Sequence, residues 1–305
     1  MTQPGGLRLG RLPNDPAKPR LRLTIHPPTA AASPAVRDWL SGVAHWPMLA
    51  NDRYGDCVFA MIGHVIQALS TYGQGATVTV TDTDVLAAYS AVTGFDPADP
   101  ATDQGTVIQD ALGYWRKHGI AGHKILAFAQ IDHTDRAQVD AAIDQFGAVL
   151  LGINFPAAAM DQFNAGQPWD VAAHDGGIEG GHAIPAGYYS TPAGRSRIVT
   201  WARVQDMTDA FWDRYVEEAW VVVAPEWLSA AGTDPLGVDL HGLGEQLHAL
   251  TGDPNPFPAN PPDPGAASFL VALPLADALA VRSRARRAHV TAERWIADRL
   301  ATYLR

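Results

Sequence analysis

The sequence contains one cysteine, Cys57, and eleven histidines. A thiolate is a strong side-chain nucleophile, and free N–H groups and the helix dipole at a helix N-terminus favour its formation. Cys57 has that setting. It follows a turn-type stretch, Asn51-Asp52-Arg53-Tyr54-Gly55-Asp56, and opens a run in which Val58, Phe59, Met61, Ile62, Val65, Ile66 and Leu69 recur at helical spacing without proline. A nucleophilic thiol needs a partner that takes its proton and returns it to a leaving group, which suits imidazole. His182 is the best placed histidine, at the start of a strand-like run after Gly177-Ile178-Glu179-Gly180-Gly181, where small residues leave room for a substrate backbone. A lone cysteine is ordinarily a small buried hydrophobe; helix placement and a suitable base together favour chemistry.

The elements that must carry these two residues can be read from periodicity. Helices are expected from Gly55 to Leu69, Asp82 to Val92, Val107 to Lys117 and Ala137 to Phe146, the last two ending ahead of Gly119 and Gly147. Short apolar or alternating runs then read as strands: Val149 to Phe155, His182 to Tyr189, Arg197 to Val204 and Glu218 to Ala224. Helices first and strands second give an α+β fold with two packed lobes. Residues 1–36 carry seven prolines and read as an extended arm. Residues 37–231 form the expected catalytic domain, 232–265 a proline-rich linker, and 266–305 a helical tail with the cluster Arg282, Arg284, Arg286, Arg287.

At this point a resemblance becomes explicit. Asp38-Trp39, Pro47, Asn51, Gly55 and Cys57 resemble, offset for offset, the mature N-terminus of papain-like cysteine peptidases. Cys57 and His182 are 125 residues apart, close to the roughly 130–150 of such Cys and His pairs. Asp103-Gln104-Gly105 with the helix after it, and Gly181-His182-Ala183-Ile184 with Gly187-Tyr188, are similar to the family's substrate wall and catalytic-histidine strand. The resemblance covers roughly residues 37–225 and implies a papain-like two-lobe fold with a C-terminal helical extension. It further implies Asn51 and the Cys57 N–H as the oxyanion hole, and Gln104, Gly105, Gly181, Ala183 and Trp201 as substrate-binding. The chain departs from the family in three ways: Val58 follows the nucleophile, paired cysteines are absent, and Val199-Thr200-Trp201-Ala202 stands where the family has Asn-Ser-Trp-Gly. Thr200 is the candidate for orienting the imidazole, with Gln205 or Asp206 as alternatives; Trp201 either shields the histidine or is core.

The expected activity is that of a cysteine peptidase or amidase working through a Cys57 thioester, with His182 as general base and acid. Transfer of the acyl group to an amine, or a fold that binds without turnover, are the competing readings. No cofactor is expected. His118 and His123 lack further ligands for zinc, and Asp96, Asp99 and Asp103 lack the glycine and terminal glutamate of a calcium loop. The paired Glu217 and Glu218 read as solvated. A net charge of −10 argues against nucleic acid, no apolar run suits a membrane span, and one cysteine without a signal-type N-terminus points to the cytoplasm. A peptide or protein substrate is the expected partner; the oligomeric state is not legible.

Overall fold

The computed structural model describes residues 7–22 and 33–227, with scattered positions between 244 and 299. The linker and tail expected at 232–265 and 266–305 lie outside the described residues, apart from those positions. In chain order the elements are β1 (Arg11–Leu12), β2 (Val36–Asp38), α1 (Cys57–Gln74), α2 (Asp82–Thr93), β3 (Thr106–Val107), α3 (Ile108–His118), β4 (Ala127–Ile131), α4 (Arg136–Phe146), β5 (Val149–Pro156), α5 (Ala157–Asn164), β6 (Ile178–Ser190), β7 (Arg195–Thr200), β8 (Arg203–Thr208), α6 (Asp209–Tyr215) and β9 (Val216–Val223).

The four expected helices are present, and each has a physical stop or start; α3 ends at Gly119, whose N–H donates to Trp115 O. Gly75 and Gly147, in the left-handed region, end α1 and α4. A capping box between Thr81 and Asp84 opens α2, and Asp135 caps α4 through Gln138 N. Helix α1 is buried on nearly every face, so its apolar run has no polar stripe to announce which side meets solvent.

The larger sheet has the order β4-β9-β5-β6-β7-β8, all antiparallel, with β2 pairing to β6. Helix α1 packs on β6, which brings the first residue of the helix against the middle of the strand. The α+β expectation therefore holds, with helices α1 to α3 on one side and the sheet on the other. The run Arg197 to Val204 is not one strand. It is the turn of the β7–β8 hairpin, reversed at Trp201 and Ala202, which take φ of 43° and 64°. Two left-handed residues match the twist of a two-residue hairpin, a geometry usually announced by Gly or Asn; neither is here, so the run reads as continuous. Elements β1, β2, β3, β4, α5 and α6 are additions to the sequence reading.

The described part of the arm is not free. Arg11–Leu12 pairs in parallel with Thr106–Val107, and farther along Lys18 bonds both oxygens of Asp110 at 2.6 and 2.8 Å. Leu21 O then accepts Gln130 N at 2.9 Å. The arm thus runs between the two sides of the molecule before reaching the edge of β4.

Candidate active site

Cys57 begins α1 and His182 lies in β6, paired with Ile153 of β5. Both are 1% exposed. Together with Asn51, Ala183, Thr200 and Trp201 they line one small cavity, of about 10 Å³ and so no larger than a water molecule.

The imidazole is held from two directions. Its Nε2 lies 2.8 Å from Thr200 Oγ1, and its ring stacks on Trp201 with centroids 4.4 Å apart and planes 17° apart. The hairpin turn makes both contacts, since it places Thr200 at the end of β7 and Trp201 over the ring. Left-handed φ at two non-glycine residues is strain stored beside the site. Gln205 and Asp206, the alternatives to Thr200, are engaged elsewhere: Gln205 Nε2 donates to Gln167 O at 2.7 Å, and Asp206 Oδ1 accepts Arg197 Nε at 2.9 Å. In the tautomer whose Nε2–H donates to the threonine, Nδ1 carries the lone pair. It is buried and has no hydrogen-bond partner among the described residues, so it is the ring atom left to receive a proton.

Burial pushes the Cys57 thiol up to about 12, against the downward pull of the Ala183 and Gly10 backbone amides on the sulfur. Burial also pushes His182 down to about 3. Both groups are neutral in this closed arrangement. Asp56, immediately before the cysteine, is buried and its carboxyl is raised well above the usual carboxylate range, chiefly by desolvation. It is a buried carboxyl in the residue before the thiol that sequence reasoning passed over.

Asn51 lines the cavity, but its amide is committed: Nδ2 donates to Tyr54 O at 3.1 Å and to Asp56 Oδ1 at 3.3 Å. Serving an oxyanion requires exchanging one of these bonds. Asp103, set aside above as a calcium ligand, fixes the loop ahead of Cys57 by accepting Gly55 N at 3.0 Å and Tyr89 Oη–H at 2.7 Å.

The groove beside the cysteine is filled by the arm. Arg8 N donates to Asn51 O at 3.0 Å, Gly10 N to Gly181 O at 3.1 Å, and Thr106 N to Gly10 O at 2.8 Å. A Cβ at Gly10 would collide with the Gly55 carbonyl, one at Gly105 with the Gly10 carbonyl, and one at Gly181 with the Arg11 carbonyl. These glycines are where three backbones converge. Gly105, Gly181 and Ala183, expected to meet a substrate, thus meet the arm or the sulfur. Gln104 does not; it is exposed and its amide bonds Ala101 O at 2.6 Å.

No family model and no curated protein sequence matches this chain. Among solved structures, it is similar to xylellain, a cysteine protease from Xylella fastidiosa, with a TM-score of 0.59 and 14% identity over 73% of this chain and 98% of that one. The fold is papain-like. Procathepsin L 3 of Tenebrio molitor larval midgut is a more distant likeness, with a TM-score of 0.49 and 13% identity over 67% of this chain and 74% of that one. The papain-like architecture accounts for the opposition of α1 and β6. No helix among the described residues is long and apolar enough to cross a membrane.

Proposed function

We propose that this chain is a cysteine peptidase or amidase whose groove is occupied, in the state described, by its own N-terminal arm. One arrangement carries the reading. A peptide segment, hydrogen-bonded at Asn51, Thr106 and Gly181, passes over a cysteine at a helix start that shares its cavity with a threonine-bound, tryptophan-stacked histidine.

In the proposed reaction the Cys57 S–H proton moves to His182 Nδ1 as sulfur attacks a substrate carbonyl carbon, and the oxygen becomes an oxyanion. The Cys57 N–H, with Asn51 once its amide is released, stabilises that charge. His182 returns the proton to the departing amine, leaving a thioester; water, losing its proton to the same nitrogen, then adds to the thioester carbon, the C–S bond breaks to release the acid, and the imidazolium returns the proton to sulfur. Thr200, bonded at Nε2, leaves Nδ1 without a competing partner among the described residues for that proton. Desolvation opposes the first step while the arm is seated, because an ion pair in a closed apolar site is poorly compensated. Lifting the arm admits water and brings both groups toward values at which the pair can form.

The test is peptide-library digestion by the Arg11→Ala full chain, followed by mass spectrometry. Cleavage that disappears in Cys57→Ala and His182→Ala, with a thioester-sized adduct on the wild-type sulfur, is the expected result. Absence of cleavage, together with labelling of Cys57 by a peptidyl electrophile no faster than a free thiol, refutes the reading.

A further inference from the structure

The groove contains a charged group that acyl transfer does not use. Glu218 lies on β9, paired with Gly152 of β5, and its side chain is 2% exposed. This corrects the reading of Glu217 and Glu218 as both solvated: Glu217 is exposed and takes Asn154 Nδ2 at 2.6 Å, whereas Glu218 faces inward. A buried carboxylate is costly unless paired and hydrogen-bonded. Its partner comes from the arm. Arg11 Nε and Nη2 converge on Oε1 at 2.8 and 2.7 Å, with the arginine side chain 3% exposed. The other oxygen accepts Trp220 Nε1–H at 2.7 Å.

Missing side chains shape this notch. A Cβ on Gly152 would lie 2.6 Å from both Arg11 Nε and Glu218 Oε1, and one on Gly181 would lie 3.0 Å from Arg11 Cδ. The notch also adjoins the sulfur, because Gly152 is the register partner of Ala183, whose amide acts on Cys57.

We propose that the notch formed by Gly152, Gly181 and Glu218 is the pocket by which this groove selects its substrate, and that it takes an arginine side chain, Arg11 being an internal copy of that ligand. The proposal rests on the reading of the groove as a peptide-binding site. A guanidinium suits the notch because its planar N–H groups reach one carboxylate oxygen together. A neutral side chain there leaves Glu218 buried and unpaired, which selects against apolar residues as strongly as it selects for the cation.

The test uses the full chain carrying Cys57→Ala, which removes the chemistry, and Arg11→Gln, which vacates the notch. A fluorescent peptide copying Leu7–Pro13 is offered with arginine, citrulline or norleucine at the place of Arg11, and binding is read by anisotropy. Arginine is expected to bind at least tenfold more tightly than citrulline, its neutral isostere, and Glu218→Gln is expected to erase that difference. Equal affinities, no binding, or a preference that survives Glu218→Gln overturns the proposal. Should Arg11→Gln fail to unfold cooperatively in thermal circular dichroism, Gly10→Ala frees the notch instead, since its Cβ cannot seat against Gly55. With Cys57 restored, peptide amides carrying arginine at that place should be cleaved with at least tenfold higher kcat/KM than those carrying norleucine. Selective binding without cleavage supports the pocket and removes the catalytic reading, so the two failures are distinguishable.

Discussion

Removing one guanidinium should expose the thiol. In Arg11→Ala the arm keeps its three backbone hydrogen bonds to Asn51, Gly181 and Thr106, worth about 1 kcal/mol each. It loses the cation that, among the described residues, is bonded to a carboxylate that is 2% exposed. Breaking a buried pair while leaving its partner in place costs about 3–5 kcal/mol. Most of that cost is relieved if the arm lifts and lets water reach Glu218, so it works against arm engagement more than against the rest of the fold. Even at the lower end, roughly a hundredfold more molecules have the arm displaced. The displaced state also has a more reactive sulfur. With its value near 12, the thiol at pH 8 is about one part in ten thousand thiolate; hydrated and nearer its ordinary 9.0, it is roughly one part in ten. Iodoacetamide labelling of Cys57 at pH 8, followed by intact-mass spectrometry, should therefore accelerate at least thirtyfold over wild type. A labelling rate within threefold of wild type, in a variant that still unfolds cooperatively, would mean that the arm does not shield the sulfur, and the reasoning fails.

Three further outcomes follow from the same geometry. Gly10→Ala, whose Cβ would strike the Gly55 carbonyl, should raise Cys57 labelling as Arg11→Ala does while leaving Glu218 and Arg11 chemically intact; unchanged labelling would show that the arm seats elsewhere. Thr200→Val removes the hydroxyl at His182 Nε2 without changing shape; cleavage should fall about tenfold to a hundredfold with stability lowered by only about 1 kcal/mol, and Thr200→Ser should recover most of the rate. His64, buried with Nε2 2.8 Å from Pro47 O, is pushed down to about 4 by burial. As pH falls through 6.5 the unfolded chain therefore takes up a proton that the folded chain refuses, and stability is lost between pH 6.5 and 4. Urea unfolding of wild type should show about 2 kcal/mol more loss from pH 7.5 to pH 5 than His64→Gln shows; equal losses would place His64 in a hydrated environment.

The helices and most strands were legible because their signals are local. Apolar periodicity, capping residues and glycine stops lie within a few positions of the elements they define, as at Thr81 and Asp84 or at Gly147. Cys57 and His182 could be paired through an offset pattern, and Thr200 could be suspected from the position it fills. Three features were not legible. The β7–β8 turn hides inside an alternating run because Trp201 and Ala202 carry left-handed φ that their residue types do not advertise. The commitment of the Asn51 amide to Tyr54 and Asp56 depends on backbone carbonyl directions within the turn. The seating of the arm depends on contacts between residues nearly a hundred positions apart, such as Arg11 with Thr106.

Glu218 is the instructive case, because a signal for it did exist. In β9 Glu218, Trp220 and Val222 share one face, Ala219 and Val221 the other, and a register shift at Glu217 sets Val216 apart from that alternation. A glutamate two residues before a tryptophan and four before a valine on one strand faces what they face. That spacing points to an inward carboxylate, and a buried carboxylate in turn demands a cation. Strand periodicity cannot supply the partner's identity, since the guanidinium comes from 207 residues away. Only three of the 22 basic residues are lysines, so the search would have narrowed to arginines. Among those, Arg11 sits between Gly10 and the prolines of a segment too rich in proline to form its own sheet, and such a segment must borrow backbone partners from a groove that has them to spare. The same glycines that let that backbone in, at 105, 152 and 181, are the positions where a side chain would close the groove to any peptide. On the proposed reading the arm and a substrate therefore compete for one set of contacts, and what holds the first in place describes what the second must carry.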